Sequence, residues 1–504
     1  MILMDAEKIF DVARRRGFFY PGSEIYGGAA GFYDYGSTGT LLKRNIEKAW
    51  KRYFLGLSSD FFEIETNNIM PEKVFKASGH LESFVDPVAK CKKCGTFHRA
   101  DHIVEDTLKE SFEGMSAEEL TKLIEKHKIR CPKCGGELGE VKVLNLMFPV
   151  SLGAGEDTKG FLRPETAQGA YVTFLRQFNV QRNRLPIGLA IVGKAFRNEI
   201  APRQLLIRQR EFTQAELQIF FDPSKVDEHE KWEEIKEYKL QIQSQKSKER
   251  DFAEVKCEDA NEKLKIPKFY VYYMARAQQF FLDVMKIEKK KFRLKELSDE
   301  EKAFYNKIHY DCQINLESLG GFKEIGGIHY RTDHDLSGHQ KVSNEKQEIF
   351  YDGRRFLPHV LELSFGIDRI IYAVLELFYR EDKKRGWDWF AFPPAIAPFQ
   401  IAVFPLVNKD KIPELAESAY EEIRTDFSVF FDDGGSIGKR YARADEIGTP
   451  FALTVDYDSL KDKSATVRDR NNAEQVRVKL SSFGDGLRRL IDGETELGKL
   501  GKKV

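Results

Sequence analysis

Long apolar runs are missing from this 504-residue chain: nowhere do 18 apolar residues stand together, which excludes an ordinary membrane-spanning helix. The first residues, MILMDAEKIFDVARRRG, mix acids with apolar positions and lack the continuous core of a secretory leader, so a cytoplasmic protein with no membrane partner is expected. Cysteine is scarce. Four of the six cysteines fall in two CxxC pairs while Cys257 and Cys312 stand alone, which is poor material for a disulfide framework. Net charge is absent too, with 80 Lys+Arg against 80 Asp+Glu, so any polyanion must be held by local patches and not by a global basic field. What remains is a chain 41% hydrophobic and 32% charged, too long for one core, and two or three globular domains are expected.

The stretch Gly193 to Phe221 reads as two strands, Ile187 to Ile200 and Gln209 to Phe221, joined by a loop that carries Pro202. Alternation puts Arg197 and Glu199 on one face of the first strand, and Arg210, Phe212, Gln214, Glu216 and Gln218 on one face of the second, with Thr213, Leu217 and Ile219 opposite. Arginines, carboxylates and a ring on one face suit a nucleotide beside a small cation, since guanidinium pairs with phosphate, ring with base and carboxylate with ammonium. A solvated hairpin with incidental ion pairs is the competing reading.

Upstream, Asp5 to Arg16 is expected to be an amphipathic helix, and Thr40 to Leu55 a second with Leu42, Ile46, Trp50, Tyr53 and Phe54 inward. Between them, Gly17 to Gly39 is dense in glycine and aromatics, which either cover a pocket or fill a core around irregular chain. A strand from Phe61 to Asn67, closed by Pro71, follows. Cys91 and Cys94, then Cys131 and Cys134, make two knuckles on either side of a charged helical segment near Ala117 to Lys128. Four thiolates so spaced suit tetrahedral zinc in a closed structural site; a redox dithiol or four unligated thiols are the alternatives.

Arg163 and Pro164 end a strand, and Glu165 and Thr166 open a helix, where a carboxylate serves either the helix dipole or a pocket. The charged run from Asp222 to Lys307 reads as a helical insertion, solvated or, through its lysines, in contact with RNA. Glu324 to Asp335 reads as Gly-rich polar chain between strands. His359 to Gly366 is a strand with Glu362, Ser364 and Gly366 on one face and Leu361, Leu363 and Phe365 on the other. In the helix that follows, Arg369 stands in the first turn, where the dipole disfavours a cation, so a phosphate or a structural carboxylate is required beside it. Beyond the prolines near Phe392 to Pro398, alternating strands and helices form a separate α/β domain of about a hundred residues.

Three separated stretches then carry a resemblance. The helix, strand and Pro71 resemble motif 1 of class II aminoacyl-tRNA synthetases, FRNE (Phe196 to Glu199) with REF (Arg210 to Phe212) resembles motif 2, and GIDR (Gly366 to Arg369) resembles motif 3. The runs GGAAGFYDYGSTGTLLKRNI, RPETAQG, FRNEIAPR, REFTQAEL, GSIGKRYARADEIGTPF and TVRDR are similar to the homodimeric glycyl-tRNA synthetases, across most of the chain outside the charged run. Phe365 and Ile367 depart from the smaller residues many relatives carry. The resemblance implies a multidomain α+β and α/β fold: an antiparallel-sheet catalytic domain over 1–87 and 141–395, a zinc-knuckle insertion over 88–140, a helical insertion over 222–310 and an anticodon-binding α/β domain over 396–504. A homodimer paired through motif 1 is also implied.

The function implied is attachment of glycine to tRNA(Gly) with ATP and Mg²⁺ through a glycyl-adenylate; magnesium ligands are not assigned. Arg197 and Arg369 are the catalytic candidates, on the α- and γ-phosphates. The ATP site implied comprises Arg197, Asn198 and Glu199; Ile207, Arg208, Gln209, Arg210, Glu211 and Phe212, with Phe212 on adenine; Glu324 and Ile325; and Gly366, Ile367, Asp368 and Arg369. The glycine site implied comprises Arg99, Glu165, Phe212, Thr213, Gln214, Ala215 and Glu216, with Glu362, Leu363, Ser364, Phe365 and Gly366; Glu165, Glu216 and Glu362 grip the ammonium. Structural Zn²⁺ goes to Cys91, Cys94, Cys131 and Cys134. Competing functions are a threonine-, proline- or histidine-type synthetase, which would lack the three-carboxylate pocket, and a non-catalytic nucleic-acid-binding relative.

Overall fold

The computed structural model describes residues 6–108, 115–153, 159–200, 202, 204–245 and 252–504, so Asp5, Ala201 and Arg203 lie outside the described residues. Helical spacing of apolar residues closes into α1 (Ala6–Arg15), which buries Ile9, Phe10, Val12 and Ala13, and α2 (Ser37–Leu55), which buries Leu42, Ile46, Trp50 and Phe54. Strand β1 (Phe61–Glu63) is shorter than the sequence suggests. The buried guanidinium of Arg163 takes the carbonyls of Thr66 at 3.2 Å and Asn67 at 3.4 Å, so these residues leave the ladder. Met70 and Pro71 pair instead with Lys159–Leu162 in a small separate sheet.

Then follow α3 (Ala167–Val180), β2 (Ile187–Phe196), β3 (Glu211–Phe221), β4 (Lys239–Gln243), β5 (Ala253–Lys256), α4 (Lys268–Gln279), β6 (Phe292–Glu296), β7 (Ile308–Leu316), β8 (Gly321–Thr332), β9 (His359–Gly366) and α5 (Ile367–Phe378). The nine strands form one sheet in the order β5-β4-β6-β7-β8-β9-β3-β2-β1, antiparallel except for the β4/β6 and β1/β2 pairs. The period of two sorts its faces. Ala215, Leu217, Ile219 and Phe221 of β3, with Leu361, Leu363 and Phe365 of β9, enter a core shared with α1, α2, α4 and α5. Ile370, Ile371, Val374 and Leu375 of α5 are wholly buried there; each such side chain contributes roughly 1.5–3 kcal/mol. The opposite face keeps Gln214, Glu216, Gln218, Glu362 and Ser364, partly covered by α3.

Two expectations are corrected. The described residues of 222–310 are not a helical insertion: they supply β4, β5 and β6 to the main sheet, and α4 buries Phe269 to Ala275 in its core. Period-two segments such as Lys239-Leu240-Gln241-Ile242-Gln243 were hidden inside the charge run, where partial helical spacing dominated. Residues 324–332 likewise are not chain between strands but most of β8, a central strand. Its glycines make room for neighbours: a Cβ on Gly326 would come within 2.4 Å of the Phe365 ring. Phe365 thereby fits where a smaller residue was expected, packed among Trp50, Phe54, Phe280 and Phe281.

The knuckle region has its own core and a three-stranded sheet of Phe97–Arg99, Val85–Cys91 and Leu138–Asn145, with helices Ala100–Leu108 and Ala117–Lys126. It therefore begins and ends slightly outside 88–140. The last portion is a six-stranded sheet in which Ile401–Pro405 lies between Val429–Phe431 and Phe451–Val455, parallel to both. Its helix α6 (Ile437–Glu446) meets the first portion directly: Arg15 is 3.0 Å from Glu446, Arg16 also pairs with Glu446, and Arg385 is 3.2 Å from Asp445.

Candidate active site

The polar face of the sheet ends in a cavity of about 180 Å³ that gathers Glu165, Arg197, Glu199, Phe212, Gln214, Glu216, Glu324, Glu362, Ser364 and Arg369. Alternation on β3 and β9 accounts for the centre: Glu216 stands opposite Ser364, and Gln218 opposite Glu362. Glu165 arrives from the turn before α3. β8 adds His329, opposite Glu362, and then Arg331, the extra residue of a bulge between Tyr330 and Thr332.

Arg331 is fully buried and organises the acids. Its guanidinium lies 2.9 Å from Glu362, 2.8 Å from Asp335 and 3.3 Å from Glu165. Glu362 also accepts from Gln218 at 2.8 Å, and Glu165 from Gln168 at 2.8 Å. Among the described residues Glu216 makes no such ion pair; it accepts from Thr166 at 2.6 Å and Ser364 at 2.7 Å. Burial drives the three carboxyls upward, yet Arg331 and His80 outweigh it at Glu165, which is held well below the usual carboxylate range. At Glu216, burial and the nearby Glu165 raise the carboxyl. At Glu362, burial, with Glu216 and Glu165 beside it, overcomes Arg331 and raises the group to about 8. Arg331 thus pairs with Glu165, Glu362 and Asp335, and Glu216 is the carboxyl left without an ion pair among the described residues.

Arg197 lies just past β2, not on its face as predicted, because the strand ends at Phe196. Its backbone amide bonds Arg210 and its Nε donates to the Pro164 carbonyl at 3.1 Å. The guanidinium stands 5.2 Å from the Phe212 ring centroid. Glu199 faces Arg208 at 4.0 Å, while Arg210 fastens the loop by donating to the carbonyls of Glu199 and Ala30, at 3.0 and 3.1 Å. Gly31 there has a φ of +81° and no room for a Cβ, which would meet Pro202 at 2.7 Å; the Gly-rich N-terminal stretch is a cover for this loop. Arg369 in the first turn of α5 pairs with Glu324 at 2.9 Å, the structural carboxylate that position demanded, and Nε donates to the Ile207 carbonyl at 3.1 Å. Burial opposes it, but Arg369 holds the Glu324 carboxyl below its ordinary value.

Of the other expected residues, Ile207, Arg208, Gln209, Gly366 and Asp368 line the cavity. Asp368 receives the Thr213 amide at 2.5 Å and the Tyr35 hydroxyl, tying α5 to β3. Ala215, Ile325, Leu363, Phe365 and Ile367 turn their side chains into the core, so only their backbones border the site. Thr213 is buried and reaches Asp368 through its main chain. Asn198 is held by its amide on the Leu146 carbonyl, Arg210 serves the loop, and Glu211 pairs with Lys194 at 3.1 Å away from the cavity lining. Arg99 is not brought to the carboxylates: it pairs with Asp86 at 3.2 Å and with Asp101 in the knuckle region. Sequence reasoning missed Arg331, Asp335, Gln168, His80, His329 and Tyr305, while Gln218 stands on the strand face where alternation put it. An arginine two residues after a histidine in IHYR was the available signal for the strand face.

Cys91, Cys94, Cys131 and Cys134 offer sulfurs all within 4.8 Å of one another, with Cys91 to Cys134 at 3.5 Å and Cys94 to Cys131 at 3.8 Å. Zn–S bonds of about 2.3 Å in a tetrahedron imply sulfur separations of about 3.8 Å, so the set fits zinc. Thr96 beside Cys94 lowers that thiol to about 6. The Gly136 amide favours a thiolate at Cys134, but the neighbouring sulfurs outweigh it and push that thiol up to about 11. Four adjacent thiols cannot all ionise without a cation. His98 adds a ring nitrogen 3.2 Å from the Cys131 sulfur.

Comparison with known proteins agrees with this geometry. Residues 152–378 match the family model described as tRNA synthetase class II core domain (G, H, P, S and T), and residues 400–490 match that described as anticodon binding domain. The antiparallel sheet and its acidic, arginine-flanked cavity are thus the core of a class II aminoacyl-tRNA synthetase. Among relatives, the glycine–tRNA ligase of Pyrococcus abyssi is 39% identical over 97% of this chain and 98% of its own. That of Pyrococcus furiosus is 40% identical over 97% and 99%, and that of Methanocaldococcus jannaschii 38% over 96% and 99%. The chain belongs to the glycine–tRNA ligase family. Among the described residues no helix is long and apolar enough to cross a membrane.

Proposed function

We propose that this chain activates glycine with ATP and transfers it to tRNA(Gly), and that Glu165, Glu216 and Glu362 hold the glycine ammonium. The observation that carries the reading is the convergence of Glu165, Glu216 and Glu362 on one cavity: the buried guanidinium of Arg331 pairs with Glu165, Glu362 and Asp335 and leaves Glu216 without an ion pair among the described residues. A small ammonium supplies what is lacking. A carboxylate gripped through its neighbouring ammonium is presented to the ATP α-phosphorus, where Arg197 stabilises charge on the pentavalent centre, while Phe212 lies against adenine and Arg369 exchanges Glu324 for the γ-phosphate. Mg²⁺ accompanies the triphosphate and offsets its charge. The tRNA terminal ribose hydroxyl then displaces AMP, and no covalent enzyme intermediate is needed.

We further propose the following division of labour. Residues 1–87 and 141–395 carry catalysis, 396–504 bind the anticodon, and Cys91, Cys94, Cys131 and Cys134 hold a structural Zn²⁺ that fixes the knuckle region. A cytoplasmic location and a homodimer formed through α2 and β1 belong to the same proposal; the position of β1 as the outer strand of the sheet supports the pairing. Charging of tRNA(Gly) transcript with labelled glycine tests the reading: glycyl-tRNA is the expected product, and a preparation that charges no tRNA with glycine overturns it.

A further inference from the structure

Residues 297–307 connect β6 to β7 as a strap fixed at both ends: the Leu297 amide donates to the His309 carbonyl at 3.1 Å and the Lys307 amide to the Tyr330 carbonyl at 2.8 Å. Inside the strap, the Ser298 amide donates to Glu301 at 3.0 Å and Lys295 pairs with Glu301 at 2.6 Å, so it is a shaped segment. Its side chains divide. Phe304 is turned outward and half exposed, its ring 5.5 Å from that of His334 and seated on Gly79, where a Cβ would come within 3.1 Å. Ala303 and Tyr305 turn inward and line the cavity.

We infer that Tyr305 is a specificity-determining residue, the roof of the amino-acid niche whose ring excludes any side chain larger than hydrogen, with Asn306 as a positioning residue behind it. The inference rests on glycine being the substrate. Carboxylates attract the ammonium of every amino acid equally, so they cannot tell hydrogen from methyl; that distinction needs a rigid apolar wall. The Tyr305 ring centroid lies 3.8 Å from the Arg331 guanidinium carbon, and Tyr171 is on the same cation at 5.2 Å, so the ring is stacked directly on the group that holds Glu165 and Glu362. Phe212, by contrast, lies with Arg197 at the phosphate candidates. The next residue acts on the same acid from another side: Asn306 donates to His329 Nδ1 at 3.0 Å, which leaves Nε2 carrying the proton 3.5 Å from Glu362. Two consecutive strap residues thus act on two separate partners of Glu362. The wall and the acids it must match are held in one register.

The test is ATP–pyrophosphate exchange by the full-length protein with glycine and with alanine. Tyr305→Ala is expected to lower the ratio of glycine to alanine kcat/KM by about tenfold or more, the discrimination that one methylene-sized difference supports. Tyr305→Phe, which keeps the ring, is expected to retain the wild-type ratio. Tyr305→Leu fills the strap without a ring and is expected to lower the ratio as well, giving the same readout if the alanine variant does not fold. An unchanged ratio in Tyr305→Ala or Tyr305→Leu, even with both activities reduced, would overturn the inference and make the strap a scaffold. Wild-type protein inactive with glycine would instead refute the substrate itself.

Discussion

Arg331 Nη1 stands 2.9 Å from Glu362 Oε2, and no part of the arginine side chain meets solvent. A guanidinium committed so deeply to acids at the substrate niche has two consequences, for stability and for the charge state of the acids.

The first concerns stability. Removing one partner of a buried ion pair leaves the other charges uncompensated, which costs about 3–5 kcal/mol. Arg331→Met is therefore expected to lower the calorimetric transition of the catalytic domain and to abolish glycine activation. Replacement by Lys does not rescue it, since one ammonium cannot serve Asp335, Glu165 and Glu362 together.

The second concerns pH. The Glu362 carboxyl is raised from its ordinary 4.5 to about 8, first by burial, so below that pH it carries a proton that glycine's ammonium must displace. Glycine KM is expected to fall as pH rises toward 8, by at most tenfold per unit, and to level off above it. In stability the sign is the reverse: the folded state holds a proton that the unfolded chain releases, so this group's contribution declines as pH rises from 4.5 to about 8, and saturating glycine offsets the decline. Exchange kinetics and melting of Glu362→Gln provide the check, because both dependences should flatten in that variant.

Arg197→Ala is expected to reduce adenylate formation by about 10²–10³-fold, the usual cost of removing one donor to a developing charge. Filter binding of tRNA should be largely retained. Glycine-dependent exchange at the wild-type rate in this variant would remove Arg197 from the chemistry.

Elemental analysis of protein purified without chelators is expected to show about one zinc per chain, as a closed four-cysteine site holds one ion. Cys131→Ser should lose the metal and expose the knuckle region to proteolysis, because its core packs around Cys91 and Cys131. Protein free of zinc would reject the site.

Much of this architecture was legible where periodicity is strict. The two faces of β9 and β3, and the buried stripe of α5, follow from spacings of two and 3.6 residues, which local sequence displays openly. Glu165, Glu216 and Glu362 were legible as candidates, but Arg331, which pairs with two of them, was not. Arg331 belongs to a bulge in a Gly-rich strand with few β-branched residues, so neither period nor propensity marked it. The same limit hid the strands of residues 239–296: charged residues on the rim of a wide sheet read as a solvated helix until β4 and β6 pair across some fifty residues of chain. Arg99 stands apart from the three glutamates for a different reason. Asp86 and Asp101, its partners in the knuckle region, sit close in sequence and claim its guanidinium locally.

The measurement that bears most directly on the account is ATP–pyrophosphate exchange with each standard amino acid in turn. The acidic, cramped niche predicts exchange with glycine alone, with alanine far behind. Exchange driven by threonine, proline or histidine, or by alanine as efficiently as by glycine, would contradict it.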